Sequence, residues 1–370
     1  MKDTSQLTRR GFVAAAAMLA AGSVFALSGC GSTTTPSSSS TGAAASSTGS
    51  GTASSGAKTN LRFVTGGESG TYYAFGSVIA QHATNNTNLN ITAASSGGSQ
   101  ANVQELQDGT AELGFCQSDV MTYAYEGINL FDGDPITDVF SVLGALYQEQ
   151  VQIVTCDSSI TSVADLKGKN VSIGAAGSGV YFNAMDVLNA YGLSEGDITP
   201  TYQSFGDSAD SLRDGQIDAA FITAGAPTTA ITDLSTSKQA YLIPIDDEHL
   251  QKLLDSSPYY SEATIAAGTY NGQDSDVKTV GVDAVILVSN SVSEDDVYAL
   301  TKDIFDNAPD LVENHAKYAE VSDEKGASIT TVPYHPGAAK YFAEKGYDVT
   351  GDGSAKASSR ADSKADSSKD

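Results

Sequence analysis

Apolar residues in the middle of the chain follow two alternating rhythms. Short runs rich in Val, Ile, Leu, Phe and Thr have the length and composition of strands. They are "LRFVT" from Leu61, "LNITAAS" from Leu89, "LGFC" from Leu113, "FSVLGALY" from Phe140 and "VQIVTC" from Val151, then "NVSIGAA" from Asn170, "ITPTYQS" from Ile198, "AAFITAG" from Ala219, "AYLIPI" from Ala240 and "DAVILVS" from Asp283. Between them, apolar spacings of three and four predict helices over 71–84, 162–167, 179–191, 207–214, 226–235, 246–255, 293–307 and 336–345. A further helix is capped by Gly109 ahead of "LGFC". Strands that alternate with helices in this way predict an α/β architecture of two mainly parallel sheets with flanking helices.

In open α/β sheets, ligands sit beyond the carboxyl ends of strands, against helix N-termini. Four glycine- and hydroxyl-rich clusters fall at such places: "TGGESGTYYAFG" from Thr65, "SSGGSQANV" from Ser95, "GAAGSGVYFNAM" from Gly174 and "ITAGAPTTAI" from Ile222. Each offers backbone N–H groups with little steric bulk, and four such turns after strands predict one shared concave site. Tyr72 and Tyr73 are adjacent on a helix and point in different directions, so at least one is core. Gln117, at the end of "LGFC", is a contact candidate because an amide both donates and accepts. Asp119 reads as a helix cap, and Pro227 suits a first helical turn. Glu149, in "YQEQ", either holds an ammonium group or is solvated surface.

The two ends of the chain change the picture. The opening "MKDTSQLTRRGFVAAAAMLAAGSVFALSGCG" has a charged start, an apolar run and "LSGC". That is an export-signal layout over 1–30, resembling a twin-arginine leader with a lipobox, and it predicts a lipid on Cys30. Residues 31–60 are nearly all Ser, Thr, Gly and Ala and read as a disordered tether with a reach of about 30 Å. Residues 351–370 read as a disordered tail. The folded part, about 61–350, is long enough for two lobes, expected as 61–155 plus 276–350 for the first and 156–275 for the second.

Charge and chemistry then exclude several functions. The net charge of −25 argues against nucleic acid and anionic surfaces as partners. Between residues 61 and 350 the arginines are Arg62 and Arg213 alone, so an anion site must rely on helix ends, hydroxyls and amides. Cys116 and Cys156 are expected as free thiols, and the four histidines have no metal-ligand spacing. "GAAGSGVYF" is neither a dinucleotide fingerprint nor a nucleophile elbow with partners. "DVTGDG" from Asp348 lacks the rest of a calcium loop, with Ser359 where Glu belongs. No catalytic residue, metal or cofactor is expected.

From about Leu61 to Val349, the chain resembles the TAXI-type solute receptors of TRAP transporters. The resemblance rests on "TGGESGTYYAFG", "SSGGSQANVQELQDGTAELGFCQSDV", "LKGKNVSIGAAGSGVYFNAMDVLNAYGL", "DGQIDAAFITAGAPTTAI" and "VPYHPGAAKYFAEKGY", in that order. It implies a two-lobed periplasmic-binding-protein fold of type II, with lobes joined by crossover strands and a ligand in the cleft. The implied ligand is an amino acid or dicarboxylate, glutamate-like, passed to a TRAP-type membrane permease. Carried over, the contacts are Gly70, Tyr72, Tyr73, Ser96, Gly98 and Gln117 on one side, facing Gly177, Ser178, Gly179, Val180, Ala224, Gly225 and Pro227. Tyr147 and Asn183 complete the candidate set. The expectation is a monomeric, non-enzymatic lipoprotein at the outer face of the cell membrane. The alternative is the binding component of an ABC importer, or a ligand sensor, on the same fold.

Overall fold

The computed structural model describes residues 58–349 apart from position 132. The expected leader, the lipidated Cys30, nearly all of the tether and the tail lie outside the described residues.

β1 (Thr59–Val64) leads through the first glycine cluster into α1 (Thr71–Asn86), and β2 (Leu89–Ala94) through the second into α2 (Ser99–Gln107). β3 (Leu113–Gln117) passes directly into α3 (Ser118–Glu126), and β4 (Phe140–Thr155) follows. The alternation continues with β5 (Asn170–Ser172), α4 (Val180–Ala190), β6 (Thr199–Thr201), α5 (Phe205–Asp214), β7 (Ala219–Ala224) and α6 (Thr229–Ser237). Then come β8 (Tyr241–Leu242), α7 (Asp247–Ser256), β9 (Ser261–Ile265) and β10 (Val277–Ser289). α8 (Glu294–Asp306), α9 (Asp323–Gly326) and α10 (Pro336–Glu344) end the described chain.

The strands form one sheet in the order β2-β1-β3-β10-β4-β7-β5-β6, with β8 on β4 and β9 on β10. Two wings, β2-β1-β3 and β7-β5-β6, are parallel. The pairs β3–β10, β10–β4 and β4–β7 between them are antiparallel. The expected two sheets are thus a single mixed one. The reason is the length of β4, 16 residues, which at about 3.3 Å each spans about 50 Å. Its first half pairs with β10 and its second half, Gln150–Thr155, pairs with β7.

"FSVLGALY" and "VQIVTC" are therefore one strand, uninterrupted by Gln148, Glu149 and Gln150. The polar residues stay in the strand because each finds a partner. Gln150 Oε1 accepts from the Ala226 N–H at 3.0 Å, and Gln152 Nε2 donates to Thr228 Oγ1 at 2.8 Å. β9 escaped the sequence reading because it is short and mostly exposed. Pro227 is exposed and precedes α6, which begins at Thr229, so it does not form a first helical turn.

Apolar side chains close each wing separately. Phe63, Phe75, Ile79, Phe115 and Tyr147 belong to the core of the first wing. Val171, Val187, Leu188 and Phe221 pack on one face of the second, and Leu212, Ile222 and Leu234 on the other. Cys116 and Cys156 are free, as expected.

Candidate functional site

All four glycine-rich turns meet at one cavity between the wings, with about 560 Å³ of space free of protein atoms, part of it opening to solvent. Several glycines there leave little room for a side chain. Gly98 has φ +106° and ψ −157°, a conformation in which a side chain costs about 1–3 kcal/mol. A Cβ on Gly70 would lie 3.3 Å from the Phe205 ring, and one on Gly97 would lie 3.1 Å from the Ala176 carbonyl.

Three of the helices that begin at this cavity have no side-chain cap, although α5, whose Ser204 and Phe205 also line it, has one. α1, α2 and α4 have Gly70, Gly98 and Gly179 at their N-caps, with no side-chain cap. By contrast α5, α7 and α8 are capped by Ser204, Asp246 and Ser293. An uncapped helix start leaves N–H donors and a partial positive charge facing whatever occupies the space ahead. Two hydroxyls point the same way. Ser178 Oγ and Thr223 Oγ1 are buried in the cavity lining without a hydrogen-bond partner, on residues only 8% and 5% exposed. A buried hydroxyl left unpaired costs on the order of 1–3 kcal/mol, which a bound polar group would recover.

The charged residue lining the cavity is Glu149, only 2% exposed. The Tyr72 hydroxyl donates to its Oε2 at 2.5 Å, while the Tyr72 ring stacks on Phe115 with centroids 4.6 Å apart. Burial pushes the Glu149 carboxyl up to about 8, against the opposing pull of the Tyr72 hydrogen bond and of Lys317. Neither arginine comes near: Arg62 pairs with Glu105, and Arg213 with Asp210 and Ser237. Lys317 lies behind Tyr147, its Nζ 5.5 Å from that ring's centroid and 2.5 Å from Glu320.

The wings touch across the cavity, closing the cleft except where the cavity opens to solvent. The Ala101 N–H of α2 donates to the Gly177 carbonyl at 2.9 Å, and the Ala230 N–H of α6 donates to the Ser69 carbonyl at 3.1 Å. Thr71 Oγ1 donates to the Gly225 carbonyl at 2.8 Å. Gln117 Nε2 donates to Asn183 Oδ1 at 2.7 Å, and Asn183 Nδ2 reaches Asp119 at 2.9 Å and the Tyr260 hydroxyl at 3.0 Å. Burial lifts the Asp119 carboxyl to about 7. Asp119 does bond the next N–H, Val120, but its second oxygen serves this cross-cleft network.

The NMT1-like family model matches residues 63–346, most of the chain. This chain belongs to the NMT1-like family. Among solved structures, a protein of Bordetella bronchiseptica RB50 aligns at 16% identity, with 77% of this chain and 89% of that one covered and a TM-score of 0.50. The alkanesulfonate-binding protein of Xanthomonas axonopodis pv. citri, bound to MOPS, aligns at 19% identity over 78% and 84%, with a TM-score of 0.44. The substrate-binding protein of an amino acid ABC transporter aligns at 11% over 72% and 98%, with a TM-score of 0.42. The NMT1-like chain is an α/β protein built on one mixed sheet with flanking helices, a fold it shares with the Bordetella protein.

Of the residues singled out from the sequence, the NMT1-like fold brings Gly70, Tyr72, Ser96, Gly98, Gln117, Ser178, Gly179, Val180 and Ala224 to the cavity lining. Tyr73, Tyr147, Asn183, Gly225 and Pro227 do not line it. Tyr73 lies on another face of α1, Tyr147 is core, and Asn183 serves the cross-cleft network. Gly225 packs against Lys317, Tyr147 and Thr71. Gly177 lies at the closed edge, where its carbonyl receives Ala101. Thr223 lines the cavity from within the fourth glycine-rich cluster, though it was not singled out, whereas Ser204 and Phe205 line it from outside the four clusters and carry no local signal.

The thiol of Cys116 is fully buried and burial raises it well above its ordinary value, so it is a poor nucleophile. Among the described residues, no group of His, Cys, Asp and Glu is arranged to hold a metal ion.

Proposed function

We propose that this NMT1-like protein is an extracytoplasmic solute receptor, tethered by the lipid its leader implies at Cys30, that captures a small polar solute between its two wings. The candidate solutes are amino acids and small dicarboxylates. The observation that carries the reading is the convergence of three uncapped helix starts and two unpaired buried hydroxyls on a cleft closed by cross-wing hydrogen bonds. Such groups are stabilised only when something polar fills the space between them, and a solute that contacts both wings favours the closed state. As the membrane partner, we place an ABC importer ahead of a TRAP-type permease, because the family matched over residues 63–346 is the NMT1-like one.

A thermal-shift screen of amino acids, C4–C5 dicarboxylates and alkanesulfonates at millimolar concentration tests the reading. A ligand that binds only the native state raises the melting temperature by mass action, so at least one class is expected to stabilise the protein by several degrees. Indifference to every class counts against solute capture.

A further inference from the structure

The charge pattern of the cavity narrows the solute beyond that reading, on which this step rests. Glu149 is the charged residue among those lining the cavity, and no Lys, Arg or His lines it. Its carboxyl is half engaged: Oε2 accepts from Tyr72, and no hydrogen bond to Oε1 is made among the described residues. A carboxylate removed from water and left without a cation is expensive, which is why burial, helped by the nearby acids Asp119 and Asp283, raises this group so far. A purely anionic solute gains no ion pair from this acid, and wherever the acid ionises the two negative charges repel at close range. Across the cavity, the N–H groups of the first turn of α4 and the Ser178 hydroxyl offer donors, a complementary end for an anionic or strongly polar group.

We propose that the captured solute carries a protonated amine, seated on Glu149, with its anionic or polar end toward Ser178 and the start of α4. Dicarboxylates and simple sulfonates that lack an amine leave this acid without a cation and are disfavoured relative to their amine-bearing counterparts. Amine binding also draws a proton off Glu149, since a cation at its side favours the ionised form. The groups that face Glu149 are Tyr72 from α1, Cys116 from β3, Asp119 from α3, Tyr147 from β4, Asp283 from β10, and Lys317. Of these, Lys317 is the cation, and it is already held by Glu320.

Matched pairs that differ in the amine test this on the full-length protein: taurine against ethanesulfonate, glutamate against glutarate, and norvaline against pentanoate. Thermal shift ranks the pairs, and titration calorimetry between pH 6 and 8 follows the tightest binder. The expected result is stabilisation by one or more amine-bearing members and less by their partners, with affinity rising up to about tenfold per pH unit toward pH 8. Glu149→Gln should weaken amine binding at least about 30-fold and flatten the pH profile. Should that variant fail to fold, the wild-type pH profile decides alone. Equal or tighter binding of the amine-free members, or affinity that falls as pH rises, overturns the amine while leaving solute capture standing. Stabilisation by no member of any pair sinks both.

Discussion

Glu149 and Asp119 each hold a carboxyl that is almost entirely buried, and their protonation follows from that. Glu149 is pushed up to about 8 and Asp119 to about 7, in both cases chiefly by burial. The ligand-free folded chain therefore holds protons that the unfolded chain has released, and stability falls as pH rises. The contribution of Glu149 is complete below the ordinary Glu value near 4.5 and gone once pH passes about 8. Its ceiling is about 1.4 kcal/mol per pH unit in that window. Self-repulsion of a chain with net charge −25 also eases on acidification, so the informative quantity is a difference between two proteins. Glu149→Gln keeps an acceptor for Tyr72 and removes the titration. Without ligand, it should melt several degrees above the wild type at pH 8.5 and level with it at pH 5. Parallel melting curves of temperature against pH for the two proteins would contradict the burial argument.

At the scale of elements, the start of α4 is the most constrained part of the site. Gly179 is its N-cap, and a Cβ there would lie 1.5 Å from Gln117 Oε1 and 3.0 Å from Val120. Gln117 can make room only by releasing Asn183, its partner across the cleft. Gly179→Ala is thus expected to keep its circular dichroism spectrum, since the clash is with a side chain and α4 continues beyond it. Its affinity for whichever solute stabilises the wild type should fall more than about tenfold, a loss of at least about 1.4 kcal/mol. Titration calorimetry checks this, and unaltered affinity would place the solute away from α4. The glycine turns were legible because a strand followed by Gly–Ser clusters and then helical spacing is a local pattern. Tyr72 and Tyr73 were not separable, because their roles depend on which face of α1 meets Phe115. The polar stretch in the middle of β4 was misleading for a related reason. It breaks the apolar run locally, yet its partners come from β7, the start of α6 and α1.

Closure belongs to the whole molecule. The Ala101 and Ala230 amides each donate to a carbonyl on the other wing, so both bonds exist only while the cleft is shut. Hydrogen exchange read by mass spectrometry should show slower exchange in the peptides containing Ala101 and Ala230 once a stabilising solute is added. The strands of the sheet should be unaffected. Equal exchange with and without the solute would mean that binding does not draw on closure. The sequence alone determined the α/β alternation, the positions of the glycine turns and the scarcity of arginine in the folded part, since each is a matter of residue type and short-range period. Only the tertiary structure decided that β4 joins both wings into one sheet, that Tyr72 and not Tyr73 faces the cavity, and that Glu149 is buried there. Tyr72 and Glu149 are 77 residues apart in the chain, and whether a polar side chain is solvated or enclosed depends on neighbours that only folding brings to it.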